Sequence, residues 1–374
     1  MYIRPSSARR RPRWPWLLLV LVVVLGLWYV RTVKPELIEL IPGRRHPTPT
    51  ATQISSRLRL ALADGYFLGG SVNEAIAEYR SIIAVDPGNS ASYARLGRIL
   101  TLRGHYAEGL TMAQRAVELD SESPENQAIL GMVLDWSGEY DLAIQACLKA
   151  IDLDPNYATA HAYLAEAYSD KGRLDRAEQV VDKALSLEAD NFYARRNRGY
   201  VLERRGDFQG AAAEYIEAIA LQPNVVYLYL SLGRAYRAAG DLDGAIDEFQ
   251  KAISVDPHDA TSYDSLGQVY LDRREYDEAT AYFKKGTEVD PDYAGAFGHL
   301  GWSYYAQRRY EDAIPQLEKA IALGASTVEF YYELGLSYVY IKDCKSARPW
   351  LQKALEIDPS AQPALQGLKE CEGR

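Results

Sequence analysis

Cysteine is scarce: Cys147, Cys344 and Cys371 are the only three in 374 residues. The number is odd and no CxxC occurs. Neither a disulfide framework nor a zinc ribbon is implied, and the three read as small apolar packing residues. Histidine is limited to His46, His105, His161, His258 and His299, scattered singly. No HExxH, GxGxxG, phosphate-binding loop or GxSxG segment is present, which removes the common metalloprotease, dinucleotide, nucleotide and serine-hydrolase chemistries. Acidic residues are numerous but spread as a solvated helical face is. The chain therefore reads as non-enzymatic, with no cofactor and no metal.

Basic charge is lacking where a nucleic-acid footprint would need it. Residues 1–55 hold nine Lys/Arg and two acids, whereas the rest holds 33 and 49, a net −16. That balance argues against nucleic acid as a partner. Long apolar runs are lacking too, with one exception. Residues 14–30, WPWLLLVLVVVLGLWYV, carry no charge over seventeen residues, the short end of a transmembrane helix. Trp14, Trp16, Trp28 and Tyr29 sit where interfacial aromatics belong, and Arg13 and Arg31 can snorkel. The following WYVRTVKPE offers no small-residue cleavage site, so an uncleaved anchor is expected rather than a signal peptide. The arginines at 9, 10, 11 and 13 place the 1–13 tip in the cytoplasm and the rest outside. Pro35, Pro42, Pro47 and Pro49 with nearby threonines make 31–55 an extended spacer.

A 34-residue period dominates the remainder. Blocks start at 56, 90, 124, 158, 192, 226, 260, 294 and 328 and end at 361 without an insertion. The eighth position of every block is Gly or Ala, from Ala63 and Gly97 to Gly335; so is the twentieth, from Ala75 to Ala347. Such columns let two antiparallel helices approach closely. Pro87, Pro155, Pro223, Pro257, Pro291 and Pro359 end the second helix of their blocks. Between the helices stands a turn glycine, Gly70 to Gly240, replaced later by Arg274, Arg308 and Lys342. Leucine before the eighth position and tyrosine after it (Tyr168, Tyr236, Tyr270) give an apolar face at helical spacing, so most tyrosines are core.

These columns, and GRAYRAAGDLDGAIDEFQKAISVDP at 233–257 above all, resemble the tetratricopeptide repeat. The resemblance covers 56–361. It implies an all-α, right-handed superhelical solenoid of about nine helix-turn-helix repeats. Residues 362–374 read as a polar capping helix, and a transmembrane helix precedes the array. It also implies protein or peptide partners, held in a concave groove lined by positions two, five, nine, twelve and thirteen of each block.

Carried onto this chain, those positions give two candidate sites. Arg196, Arg204, Arg234 and Arg237 form a basic group fit for a carboxylate or phosphate, unless local acids such as Glu203 neutralise it. Gly295 and Gly298 leave the groove bare beside Trp302, Tyr305, Tyr332 and Tyr340, which reads either as an aromatic pocket or as ordinary packing between repeats. The family's Lys/Asn clamp for peptide carboxyl termini is not reproduced, since Arg196, Tyr200, Leu230 and Arg234 stand in its slots. The expected function is a membrane-anchored scaffold. The alternatives are a regulatory subunit of an envelope glycan or secretion machine that docks through its convex face, and a glycan-binding module.

Overall fold

The computed structural model describes residues 56–372. The basic tip, the transmembrane helix and the spacer expected over 1–55 lie outside the described residues. Among the described residues no helix is long and apolar enough to cross a membrane.

Nineteen α-helices and no strand occur among the described residues, arranged as nine hairpins and a last helix. The first three hairpins are α1 (Ser56–Leu68) with α2 (Val72–Val85), α3 (Ser90–Leu102) with α4 (Tyr106–Leu119), and α5 (Pro124–Trp136) with α6 (Tyr140–Leu153). The next three are α7 (Ala158–Asp170) with α8 (Leu174–Leu187), α9 (Phe192–Arg204) with α10 (Phe208–Leu221), and α11 (Val226–Ala238) with α12 (Leu242–Val255). Then follow α13 (Ala260–Asp272) with α14 (Tyr276–Val289), α15 (Ala294–Ala306) with α16 (Tyr310–Ala322), and α17 (Val328–Tyr340) with α18 (Cys344–Ile357). The last helix is α19 (Gln362–Glu372).

Within a hairpin, the eighth-position glycine is roofed by the large side chain at position twenty-four. A methyl group on Gly233 would come 2.5 Å from Phe249, one on Gly267 2.6 Å from Phe283, and one on Gly335 2.6 Å from Leu351. The small column therefore serves a ring or a leucine of the partner helix as well as the approach of two backbones. Most junctions between hairpins use an aspartate at the end of the second helix; Glu188, Gln222 and Leu323 stand there at the fourth, fifth and eighth. The carboxylates of Asp154, Asp256, Asp290 and Asp358 accept the backbone N–H two residues on at 2.8–3.0 Å. The following proline then stops the helix.

The hairpin turn demands a left-handed residue. Gly70, Gly104, Gly138, Gly172, Gly206 and Gly240 supply it at φ +76° to +84°, whereas Arg274, Arg308 and Lys342 adopt it at +62°, +61° and +68° against their Cβ. Leucines before the eighth position depend on a preceding hairpin: Leu232 and Leu266 are buried, while Leu62 in the first hairpin is 45% exposed.

The cysteine expectation is corrected. Cys344 and Cys371 form a disulfide across 27 residues, while Cys147 is buried and free. Successive helices run antiparallel, so the start of α18 lies beside the end of α19, and the bridge ties the terminal helix to the last hairpin.

The winding is tight enough that early hairpins touch later ones. The first turn packs between the fifth junction and the end of the sixth hairpin: Cβ at Gly70 would stand 3.2 Å from the Asn224 carbonyl and 3.2 Å from Val255. At the second turn, Arg103 pairs with Asp256 and donates to the His258 carbonyl at 2.6 Å, and His105 Nε2 meets Asp290 Oδ2 at 2.7 Å. Phe67, Ile99 and Leu100 share one core cluster with Val225, Tyr227 and Leu228. Hairpin n thus meets hairpin n+5 along a seam.

Candidate functional site: a cleft at the end of the seam

The seam turns much of the concave groove into an interior. Arg98 is buried, its guanidinium 5.3 Å from the Phe67 ring centre and 5.4 Å from that of Tyr193. Tyr163 and Tyr227 are buried with it. An extended peptide cannot lie along this stretch without displacing them.

The seam fails to close where the third turn would meet the eighth junction. That junction lacks Asp-Pro and carries Gly324 at φ +97°. A cleft of about 860 Å³ opens there, walled by Ser137, Gly138 and Tyr140 of the third hairpin and by Gly324 and Ser326 of the eighth. Its floor comes from α5, α7, α9 and α11: Asp135, Trp136, Glu166, Asp170, Arg196, Tyr200 and Arg234. Each floor residue occupies position five, nine, twelve or thirteen of its block, among the groove positions that the repeat implies.

Of the four arginines singled out in the sequence, the structure brings two into this cleft. Arg196 is 3% exposed. It is ion-paired with Glu166 and donates to Asn197 Oδ1 at 2.8 Å and Ser231 Oγ at 3.2 Å. Its guanidinium lies 5.7 Å from the Trp136 ring centre and 5.2 Å from that of Tyr200. Arg234 lines the cleft and reaches Ser231 at 3.5 Å. Arg237 is paired with Asp272, donates to Gln268 at 2.7 Å and lines a neighbouring cavity of about 190 Å³. Arg204 is exposed at the end of α9. Glu203 accepts from the Tyr215 hydroxyl at 2.8 Å and does not hold these arginines. A convergent four-arginine anion site is therefore not what the fold builds: the arginine best placed for it is already neutralised.

Acids missed in the sequence dominate instead. Asp135 is 3% exposed, and no donor reaches either of its oxygens; Asp170 is its neighbour as an acceptor. Glu166 accepts from Trp136 Nε1 at 3.1 Å as well as from Arg196. Asp170 accepts from the Tyr200 hydroxyl. Burial, with Glu166 and Asp170 as neighbours, pushes the Asp135 carboxyl up to about 9, and burial also raises Asp170. The signal was available: these acids occupy the same concave positions as the arginines, but a general reading of acids as solvated surface hid them.

The aromatic residues sit at the other end of the array. Trp302 is 39% exposed, 6.3 Å from the His299 ring. Tyr305 and Tyr340 lie 6.2 Å apart and are bridged by Tyr310, which stacks on Tyr340 at 4.6 Å. Tyr332 packs with Tyr305 against the terminal core. The expected bare notch is filled by the array's own rings. Cβ on Gly298 would come 2.2 Å from Phe330, and one on Gly295 2.7 Å from Tyr293.

Tetratricopeptide repeat family models match residues 60–124, 96–158, 137–196, 265–320 and 299–362, and a TPR repeat model matches 233–273. No curated protein matches the chain. Among solved structures, the chain is similar to one in the Cut9–Hcn1 hetero-tetramer of the APC/C, at 18% identity and TM-score 0.57. That alignment covers 86% of this chain and spans 63% of the other's length. It is similar also to yeast Tom70, at 13% identity and TM-score 0.56, covering 86% of this chain and 89% of that one. At these identities the likeness is one of fold.

Proposed function

Because this chain belongs to the tetratricopeptide repeat family, we propose that it is a non-catalytic scaffold that holds a segment of a partner protein in the cleft between hairpins three to five and hairpin eight. The observation that carries this reading is the contrast along the groove. Where the seam is closed, side chains of the array narrow the concave face to a cavity of about 190 Å³; where it ends, about 860 Å³ lined by groove positions stays open. A photo-crosslinking residue at Ser326 of the intact chain, produced in its own cells, should trap a partner. The same residue at Gln145, exposed on a second helix, should not. Crosslinks from Gln145 alone would move the docking face to the outside, as in a regulatory subunit that docks convexly; exposed Leu142 and Leu148 on α6 make that the second reading.

The anchor belongs to the same proposal. Residues 14–30 would span the bilayer once, with the arginine-rich tip inside and the array outside. The Cys344–Cys371 bridge favours that side, because disulfides persist in oxidising compartments. Protease added to intact cells stripped of any outer barrier should degrade the array; survival until the membrane is opened would place it inside.

A further inference from the structure

We propose that the floor of this cleft is a cation site, and that the partner segment it takes presents a lysine or arginine side chain to Asp135 and Asp170. This rests on the cleft reading above and names the chemistry of its ligand.

The cleft is lined by four carboxylates, Asp135, Glu166, Asp170 and Glu203, against two guanidinium groups, Arg196 and Arg234. Arg196 is held by Glu166, and Arg234 reaches only the Ser231 hydroxyl at 3.5 Å. Asp135 and Asp170 therefore form no ion pair of their own; Arg204, from the exposed end of α9, and Arg196 attract Asp170 only at longer range.

Hydrogen bonding points the same way. Asp135 is buried and receives no donor, although buried carboxylates nearly always have one. Two things can fill that position: a proton, which lets Asp135 donate to Asp170, or the N–H groups of an incoming cation. The surroundings suit the second. Arg196 shows that a guanidinium is accommodated beside Trp136 and Tyr200, and Tyr106 and Tyr140, 44% and 36% exposed at the cleft, offer further ring faces. An anion, by contrast, would face Asp135, Asp170 and Glu203.

Proton and cation then compete. The groups facing Asp135 are Glu166 and Asp170 from α7, Arg196 from α9 and Cys147 from α6. With the Asp135 carboxyl raised to about 9, cation binding must expel its proton, so affinity should climb with pH, approaching tenfold per unit below 9.

The test uses the full chain in detergent and four capped pentapeptides, acetyl-Gly-Ser-X-Ser-Gly-amide, with X arginine, lysine, citrulline or glutamate. Saturation-transfer NMR reads binding into the millimolar range. The arginine and lysine peptides should bind at least tenfold more tightly than the other two, and more tightly at pH 8 than at pH 7. Asp135→Asn should cost at least fivefold and flatten the pH dependence. If that variant fails to fold, Asp170→Asn should likewise cost at least fivefold, while keeping the pH dependence that the Asp135 proton imposes. Equal binding of the citrulline or glutamate peptide overturns the cation site and leaves the cleft reading standing. So does cation binding that neither variant weakens. If no peptide of any charge binds, both fall.

Discussion

Cutting the Cys344–Cys371 bridge should loosen one end of the molecule and leave the rest alone. The bridge closes a loop of 27 residues. The chain-entropy relation for a loop of that size gives about 3.5 kcal/mol removed from the unfolded ensemble. Besides the bridge, α19 is held by a small apolar contact with the last hairpin and by Arg348, which donates to the Cys371 carbonyl at 2.9 Å. It buries Ala364, Gly367 and Cys371, while Leu365 stays 42% exposed. The last hairpin lies beyond the closed part of the seam, so α19 can pass stability only to its sequence neighbours, and the loss should stay local. The assay is amide hydrogen exchange on Cys371→Ser. Protection in α19 and the facing part of α18 should fall by up to roughly 300-fold, at about 1.4 kcal/mol per decade, with α1 to α12 changed little. Replacing both cysteines should do no more than replacing one. Unchanged protection in α19, or a loss spread evenly along the array, would refute the reasoning.

Other perturbations probe other levels. Arg274→Gly, Arg308→Gly and Lys342→Gly each relieve a side chain at positive φ, and thermal melts should show gains of about 1 kcal/mol apiece after the flexibility that glycine adds to the unfolded chain. Gly104→Ala should cost about 1 kcal/mol or more beyond Gly138→Ala by chemical denaturation. Both strain a left-handed turn, but only at Gly104 would the methyl strike a ring, that of Tyr293, at 2.6 Å. The His105–Asp290 contact raises the histidine and lowers the aspartate. Its histidine contribution is therefore complete below about pH 6.5 and lost as pH rises through the higher folded value, while the aspartate contribution fades as pH falls through its lowered one. Hydrogen exchange at the second turn should accelerate from pH 6 to 9, after correction for intrinsic rates, in the wild type but not in His105→Ala. Asp135→Asn removes a carboxyl that folding forces to hold its proton, and should stabilise the array at pH 7 by on the order of 2 kcal/mol in a urea titration.

Most of the fold was legible because each hairpin is specified by its own 34 residues. The Gly/Ala positions, the turn residue and the Asp-Pro stop set two helices and their junction locally. The seam was not legible. It arises from small rotations summed over five hairpins, and no single column encodes it; nothing in the sequence marks Arg103 and His105, beside the turn glycine Gly104, as partners of Asp256 and Asp290. The disulfide could have been found from antiparallel order, since Cys344 starts a second helix and Cys371 ends the next first helix. The site was half legible. Groove positions five, nine, twelve and thirteen do line the cleft, but Arg196 was taken without Glu166, one block earlier at position nine, and Gly298 without Phe330 from the next first helix.

The central claim is that a partner occupies the cleft at the end of the seam. Its most direct test is a Ser326→Trp chain, which places bulk at the cleft wall without touching a core position. Capture of whatever partner crosslinks at Tyr140, on the opposite wall, should drop at least tenfold, with the melting temperature unchanged. Full capture by a folded Ser326→Trp chain would contradict the account.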